Sequence, residues 1–260
     1  MPFARHLYNA VLRPVRRART VGPLRLAARL PIVFDLISLT MQTRDLGRLR
    51  RIRDAYPVAT DEHHKRAHDY NAGVSQAKGV TTTRRAEDIY EILAMPPRPL
   101  RHERLLIVGP RNIHEFLIAW VHGFDWALMQ GIDLYSTNPK IRPMNMEAMD
   151  FPDQSFDAIG MSATISYAKD IGRCLHEMAR VLRPGGRFAF GMPYHPQNTE
   201  WHGDRLSASE MRRLLRETGF DIYYHHAWDK TNGLGHRQTT HRFGTVKRDP
   251  SNKLLDPLVL

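Results

Sequence analysis

The sequence of 260 residues contains a single cysteine, Cys174. One cysteine excludes an internal disulfide and any zinc site that is built from several cysteines. Long apolar runs are also missing: the longest candidate, residues 31–41, contains Asp35 and falls short of the roughly 18 apolar residues that a membrane-spanning helix needs. The hydrophobic content of 42% is still ample for a core, so the length fits one α/β domain with an extension, or two small domains.

Acidic side chains are absent from residues 1–30, which carry eight basic side chains when His6 is counted. The whole chain has a net charge of +11 and a pI near 10.1, which favours attraction to a polyanion. Such a segment is typical of an amphipathic helix on an anionic membrane, of an RNA- or DNA-binding arm, of an organelle transit peptide, and of a helix that packs on the domain. We expect a cytoplasmic protein, with peripheral attachment to a membrane or import into an organelle as open alternatives.

Helical patterns dominate the first hundred residues. Residues 61–71 are typical of a polar helix, and residues 83–93 place apolar side chains at helical spacing. The first of these helices carries three histidines, His63, His64 and His68, which invite interpretation as metal ligands. No fourth ligand lies nearby in the sequence, so we expect no metal site.

A proline-rich segment, residues 95–99, predicts a linker between an extension and a domain. The apolar run 105–108 then predicts a buried strand, which leads through Gly109-Pro110-Arg111-Asn112 into an apolar helix over 114–122. This is the first strand, turn and helix of a nucleotide-binding half. The predicted divisions are a basic, largely helical extension or lid over 1–99, a domain over 100–248 and a tail over 249–260.

Further strands and helices alternate along the domain. Residues 131–134 predict a second strand that ends at an acid, and residues 158–161 predict a strand buried on both faces. Asp170 can cap an amphipathic helix that Pro184-Gly185-Gly186 ends, and residues 187–192 predict the next strand. This alternation predicts an α/β fold with a doubly wound parallel sheet.

The C-terminal third predicts one more helix and two strands. Ser207 and Glu210 form a capping box at the start of a helix that extends to about residue 218. Residues 221–228 and 241–247 predict the last two strands, with a polar loop over 230–240 between them.

Two segments resemble a known family. The sequences DFPDQSFD, residues 150–157, and EMARVLRPGGRFAFG, residues 177–191, resemble the second half of the class I S-adenosylmethionine (SAM)-dependent methyltransferases, especially the branch that includes quinone-biosynthesis enzymes. The resemblance covers about residues 104–248. It implies a Rossmann-like, seven-stranded, mostly parallel sheet with an antiparallel last strand. It also implies methyl transfer from SAM to oxygen or nitrogen of a small-molecule, lipid-linked or glycan acceptor.

The first turn departs from the family pattern, in which glycines let the backbone approach the cofactor. Only Gly109 is kept, because Arg111 and Ile113 stand where further glycines are usual. The resemblance allows Arg111 to pair with the carboxylate of the cofactor's methionine moiety and Glu115 to meet its amino group. Alternatively, Arg111 is solvated and Glu115 simply favours the first helical turn.

The ends of the second and third strands supply the remaining cofactor candidates. By resemblance, Asp133 would accept the ribose hydroxyls, with Leu134 beside it at the cofactor. Asn145 would accept a hydrogen bond from the adenine amino group through its amide oxygen. Met146 would cover the adenine face, or would serve in ordinary packing.

Further site residues are expected after the fourth and fifth strands. Ser162, a cofactor-binding candidate, and Tyr167 follow the fourth strand, where Tyr167 would orient the acceptor or close over the cofactor. His195 follows the fifth strand and is the candidate general base for a hydroxyl acceptor. The alternative for Tyr167 and His195 is a polar surface loop. The loop 230–240 would cover the acceptor.

Rival functions follow from the same residues. A nicotinamide-dependent dehydrogenase is disfavoured, because Gly-Pro-Arg-Asn does not supply the Gly-x-Gly-x-x-Gly turn that binds a pyrophosphate. A non-catalytic basic binding module with the same fold and an RNA methyltransferase are the remaining alternatives, and both are motivated by the basic charge.

Overall fold

The computed structural model describes residues 21–52, 61–78, 80, 86–96, 99–135, 138–195, 206–231, 237–249 and 251. The predictions for residues 1–20 and for nearly all of the C-terminal tail lie outside these residues.

The described part of the chain forms one seven-stranded sheet in the order β3-β2-β1-β4-β5-β7-β6. Strands β1 to β5 are parallel to their neighbours, whereas β7 runs antiparallel to both β5 and β6. The prediction of a mostly parallel sheet with an antiparallel last strand is therefore confirmed. The strands are β1 (Leu105–Val108), β2 (Met129–Asp133), β3 (Ile141–Pro143), β4 (Phe156–Met161), β5 (Leu182–Tyr194), β6 (Phe220–Thr231) and β7 (Arg237–Lys247).

Helices in the described residues fall into two groups. Four precede the first strand: α1 (Val21–Ala27), α2 (Pro31–Ile52), α3 (Glu62–Lys78) and α4 (Glu87–Ala94). Three connect the strands: α5 (His114–Val121), α6 (Ile171–Val181) and α7 (Ala208–Glu217). None of the helices in these described ranges is long and apolar enough to cross a membrane.

The core lies on both faces of the sheet. On one face, Leu106 and Val108 of β1 pack with side chains of α6 and α7, among them the fully buried Cys174. On the other face, Ile107 packs in a cluster that includes Phe34 of α2 and Ile89 of α4. Helices α2 and α4, which precede the first strand, therefore share the core of the sheet. The boundary near residue 99 stays a prediction.

A buried ion pair joins the extension to the sheet. The guanidinium of Arg187 on β5 donates to the carboxylate of Glu103 and to the carbonyl of Leu93, and the Arg187 side chain is almost fully buried. The pair fixes the end of α4 and the entry to β1 against the middle of the sheet.

Several element ends differ from the predictions. Helix α6 ends at Val181 rather than at Pro184, because Leu182 already has extended backbone angles and begins β5. The loop expected over 230–240 is shortened, because β6 and β7 stay paired out to Thr231 and Arg237. Helix α3 extends to Lys78, beyond the predicted end.

Candidate active site

One cavity lies at the carboxyl ends of the first strands, where the fold brings together side chains from distant parts of the sequence. The space that a water molecule can reach there is about 30 Å³, which is room for only about two water molecules, so the cavity is nearly filled. Six residues that were predicted from the sequence line it: Gly109, Asp133, Leu134, Asn145, Met146 and Tyr167.

Gly109 forms the floor of this cavity just after β1. Its φ of +70° lies in the left-handed region, and its N–H donates to the carbonyl of Ile132 at 2.8 Å. A Cβ at this position would stand 2.0 Å from the Oγ1 atom of Thr164. The Thr164 hydroxyl itself donates to the carbonyl of Val108 at 3.3 Å. Only glycine therefore fits this turn without displacing Thr164.

Asp133 ends β2 with its carboxylate held by two backbone donors. The N–H of Leu134 donates to Oδ1 at 2.7 Å and the N–H of Arg111 donates to Oδ2 at 3.2 Å. Burial raises the pKa of Asp133 to about 6, although these N–H groups and the Arg111 charge oppose the shift. At neutral pH the group is mostly ionised. Each oxygen keeps a further lone pair that can accept a hydroxyl donor.

Asn145 stands two residues after β3 in a fixed orientation. Its Oδ1 accepts from the N–H of Glu147 at 2.9 Å, and its Nδ2 lies 3.3 Å from Nε2 of His64. Met146 beside it is buried and lines the same cavity. The amide is thus already engaged, whereas the methionine offers an apolar wall.

Comparisons with known proteins agree with this architecture. Residues 127–190 match the family model described as a methyltransferase domain. The chain is 40% identical over 65 residues to the ubiquinone/menaquinone biosynthesis C-methyltransferase UbiE of Hahella chejuensis, a match that covers 24% of this chain and 26% of that protein. The chain therefore spans about a quarter of that relative's length.

Solved structures extend the likeness over most of the chain. One is described as a sarcosine dimethylglycine methyltransferase from Galdieria sulphuraria, with a TM-score of 0.52, 15% identity, and coverage of 73% of this chain and 99% of that one. Another is the Burkholderia thailandensis 1,6-didemethyltoxoflavin-N1-methyltransferase, solved with 1,6-didemethyltoxoflavin and S-adenosylhomocysteine, with a TM-score of 0.51, 16% identity, and coverage of 73% and 92%. The sheet domain therefore has the fold of these methyltransferase structures.

The turn after β1 keeps a left-handed backbone conformation at Arg111, where the family pattern has a glycine. Arg111 has a φ of +48°, a conformation that costs a residue with a side chain about 1 kcal/mol. Its N–H binds Asp133, and its Nη2 lies 3.4 Å from Oδ1 of Asn71 on α3. The guanidinium thus reaches the extension and does not line the cavity.

Glu115 does not line the cavity of the sheet domain. Its carboxylate is buried and accepts a hydrogen bond from the Tyr90 hydroxyl at 3.1 Å. Burial raises the pKa of Glu115 to about 8, and the charge of Asp133 adds to the rise. The structure therefore gives Glu115 a partner on α4, and does not bring it to the cavity for the predicted contact with the cofactor's amino group.

Helix α3 forms part of the wall of the cavity. His64 is buried, and its two ring nitrogens lie 3.0 Å from Oδ2 of Asp61 and 3.1 Å from Oε1 of Glu147. His63 Nε2 donates to the carbonyl of Tyr167 at 3.0 Å. His64 and Asn71 line the cavity. Sequence reasoning missed this role, and its one signal was the density of histidines over 61–71.

The three histidines of α3 do not converge. His63 binds Tyr167, His64 lies between two carboxylates, and His68 faces Asp69. Within the ranges that the structure describes, no group of three or more His, Cys, Asp or Glu side chains is placed to hold a metal ion.

The residues predicted after the fourth and fifth strands are separated in the structure. Tyr167 lines the cavity, and its ring lies 6.2 Å from that of Tyr70 on α3. Ser162 does not line it; Thr164, two residues later, takes the place next to Gly109. His195 directly follows β5 and is also absent from the cavity wall.

A second histidine group lies on the last two strands. His225 Nε2 is 3.1 Å from Nδ1 of His241, and the two rings stack. His226 instead stacks on Trp228, as the alternation of a strand requires. Burial lowers the pKa of His225 and of His241, and the charge of Arg212 adds to both shifts.

Proposed function

We propose that this chain is a SAM-dependent methyltransferase that acts on oxygen or nitrogen of a small-molecule, lipid-linked or glycan acceptor. The observation that carries the proposal is the cavity at the carboxyl ends of the strands, which places Gly109 and Asp133 beside Asn145 and Met146. The match to a methyltransferase domain and the likeness to a structure solved with S-adenosylhomocysteine support it.

The residues of the cavity fit the cofactor. Gly109 offers a backbone surface that a Cβ would obstruct, and Asp133 offers carboxylate lone pairs for the two ribose hydroxyls. Met146 offers an apolar wall for the adenine. SAM supplies an activated methyl group on a sulfonium. Since the cavity is nearly filled, the side chains of α3 that cover it would have to move before a ligand of this size enters.

The acceptor would approach from the side of Tyr167, which lines the cavity just after β4. Methyl transfer from a sulfonium is an in-line displacement, so this chain's main contribution would be alignment. A hydroxyl acceptor must also lose a proton, and His195 at the end of β5 is the proposed base.

Calorimetric titration with SAM and with S-adenosylhomocysteine tests the proposal. We expect binding by the wild-type protein and at least tenfold weaker binding by Asp133→Asn, which keeps the shape but loses the charge. At a ligand concentration a hundred times Kd, binding should stabilise the fold by about 2.7 kcal/mol. Absence of binding at millimolar ligand would refute the proposal. If SAM binds, transfer of labelled methyl to a panel of acceptors would identify the acceptor class.

A further inference from the structure

Helices α1 and α2 carry aliphatic side chains on a surface that nothing in the described residues covers. Five of them are between 45% and 76% exposed, and together they define the α1–α2 face: Leu26, Leu30, Ile32, Leu36 and Leu39. The described part of the chain has seven large hydrophobic side chains that are at least 45% exposed, and five of them lie within these fourteen residues. Such a concentration marks an interaction site more often than chance exposure.

Helix α2 is apolar on two opposite sides. Phe34 and Ile37 are buried in the core, whereas Ile32, Leu36 and Leu39 repeat at helical spacing on the outside. Packing against the sheet explains why Phe34 and Ile37 are apolar. It does not explain why the exposed side chains of the outer stripe are apolar. A helix needs only one apolar stripe to be held against its own domain.

Two threonine hydroxyls beside this stripe already donate hydrogen bonds to carbonyls of the same helix. The hydroxyl of Thr40 donates to the carbonyl of Leu36 at 2.7 Å, and that of Thr43 donates to the carbonyl of Leu39 at 2.9 Å. Both hydroxyls therefore need no partner from water and can enter an apolar environment at little cost.

Exposed arginines accompany the α1–α2 face. Arg29 lies between Leu26 and Leu30, and Arg44 follows Leu39 by five residues; both are exposed. The sequence adds Arg48, Arg50, Arg51 and Arg53 after Arg44, within a chain of net charge +11. Exposed aliphatic side chains in an arginine-rich segment match the chemistry of an anionic membrane surface, which presents acyl chains beneath negative headgroups.

We propose that the α1–α2 face docks on an anionic lipid bilayer, with α2 lying in the plane of the interface. Nucleic acid fits this face less well, because bases bind through stacking on aromatic side chains and the five exposed side chains are all aliphatic. The inference does not depend on the proposed methyl transfer. If both hold, the enzyme would reach acceptors that are dissolved in or anchored to a membrane.

Cosedimentation of the full chain with vesicles tests this. We expect binding to vesicles of phosphatidylcholine with phosphatidylserine, much weaker binding to phosphatidylcholine alone, and a loss of binding as salt rises. Ile32→Ser combined with Leu36→Ser should weaken binding about tenfold or more. Met95→Ser is the matched control, because Met95 is also exposed (52%) but follows α4 and is not one of the five side chains that define this face.

The fold of each variant is checked by thermal unfolding, which should be almost unchanged because the altered side chains are exposed. The proposal is overturned if the wild-type protein binds neither kind of vesicle, or if the double variant binds as the wild type does. It is also overturned if the double substitution converts a dimer to a monomer without altering vesicle binding, or weakens binding to an RNA oligonucleotide instead.

Discussion

Replacing Glu115 by glutamine should stabilise the fold by an amount that grows with pH. The carboxyl is buried, and its pKa is raised to about 8 from its usual 4.5, mainly by burial. The native state therefore loses stability as pH rises from the unfolded value towards the folded one. The gap of about 3.5 pH units, at about 1.36 kcal/mol per unit, gives a penalty of about 5 kcal/mol above pH 8 and about 3 kcal/mol at pH 7. Glutamine removes this penalty and keeps an oxygen for the Tyr90 hydroxyl.

Thermal unfolding of both proteins between pH 5 and pH 8.5 measures the effect. Near pH 5 the two curves should differ by less than about 1 kcal/mol, because the carboxyl is protonated in the native state and only partly ionised in the unfolded state. At pH 7 the variant should melt roughly 6–12 °C higher. Glu91→Gln on the exposed side of α4 is the control and should show no such pH dependence. A Glu115→Gln curve parallel to that of the wild type, or a lower Tm at pH 8, would contradict the reasoning.

Three further outcomes are expected. The affinity for SAM should rise between pH 5 and pH 7 as Asp133, with a pKa of about 6, ionises, whereas Asp133→Asn should bind weakly and without pH dependence in calorimetric titrations. Gly109→Ala should lower SAM affinity at least tenfold by calorimetry, because its Cβ would lie 2.0 Å from Thr164 Oγ1. Arg187→Met should lower the free energy of unfolding in urea by about 3–5 kcal/mol, since it leaves the Glu103 carboxylate buried without its ion-pair partner.

The same Glu115→Gln protein also tests a prediction made from the sequence. Resemblance suggested that Glu115 meets the cofactor's amino group, but in the structure its carboxylate binds Tyr90 and does not line the cavity. We therefore expect SAM affinity to be unchanged within about threefold. A loss of tenfold or more in calorimetric titration would return Glu115 to the cofactor site.

Local sequence patterns were sufficient to predict most of the strands and helices of the sheet domain. The caps predicted at Asp170 and Ser207 both form, because each depends on side chains within three residues of the helix start. Asp133 and Gly109 reach one cavity because parallel strands end at the same edge of a sheet, which a sequence reader can assume.

The site residues that sequence analysis did not predict are brought to the cavity by contacts between distant parts of the chain. Nothing near His64 in the sequence indicates that α3 returns across the ends of strands that follow it by more than forty residues. Thr164 was missed for a related reason: its fit against Gly109 depends on the twist of two neighbouring strands, and Ser162 was the nearer polar candidate. Which of these side chains line the cavity is determined by tertiary packing, and this packing produces no periodic pattern in the sequence.

The chemistry of α3 suits a cover that moves. Of its described side chains, only His64 and Ala67 are buried. Its links to the sheet domain include hydrogen bonds of His63 and His64, a hydrogen bond that Asn71 accepts from Arg111, and a ring contact between Tyr70 and Tyr167. A hydrogen bond that water can replace contributes only about 1 kcal/mol to the stability of the closed arrangement. We therefore expect α3 to be the element that moves if the cavity admits the proposed cofactor.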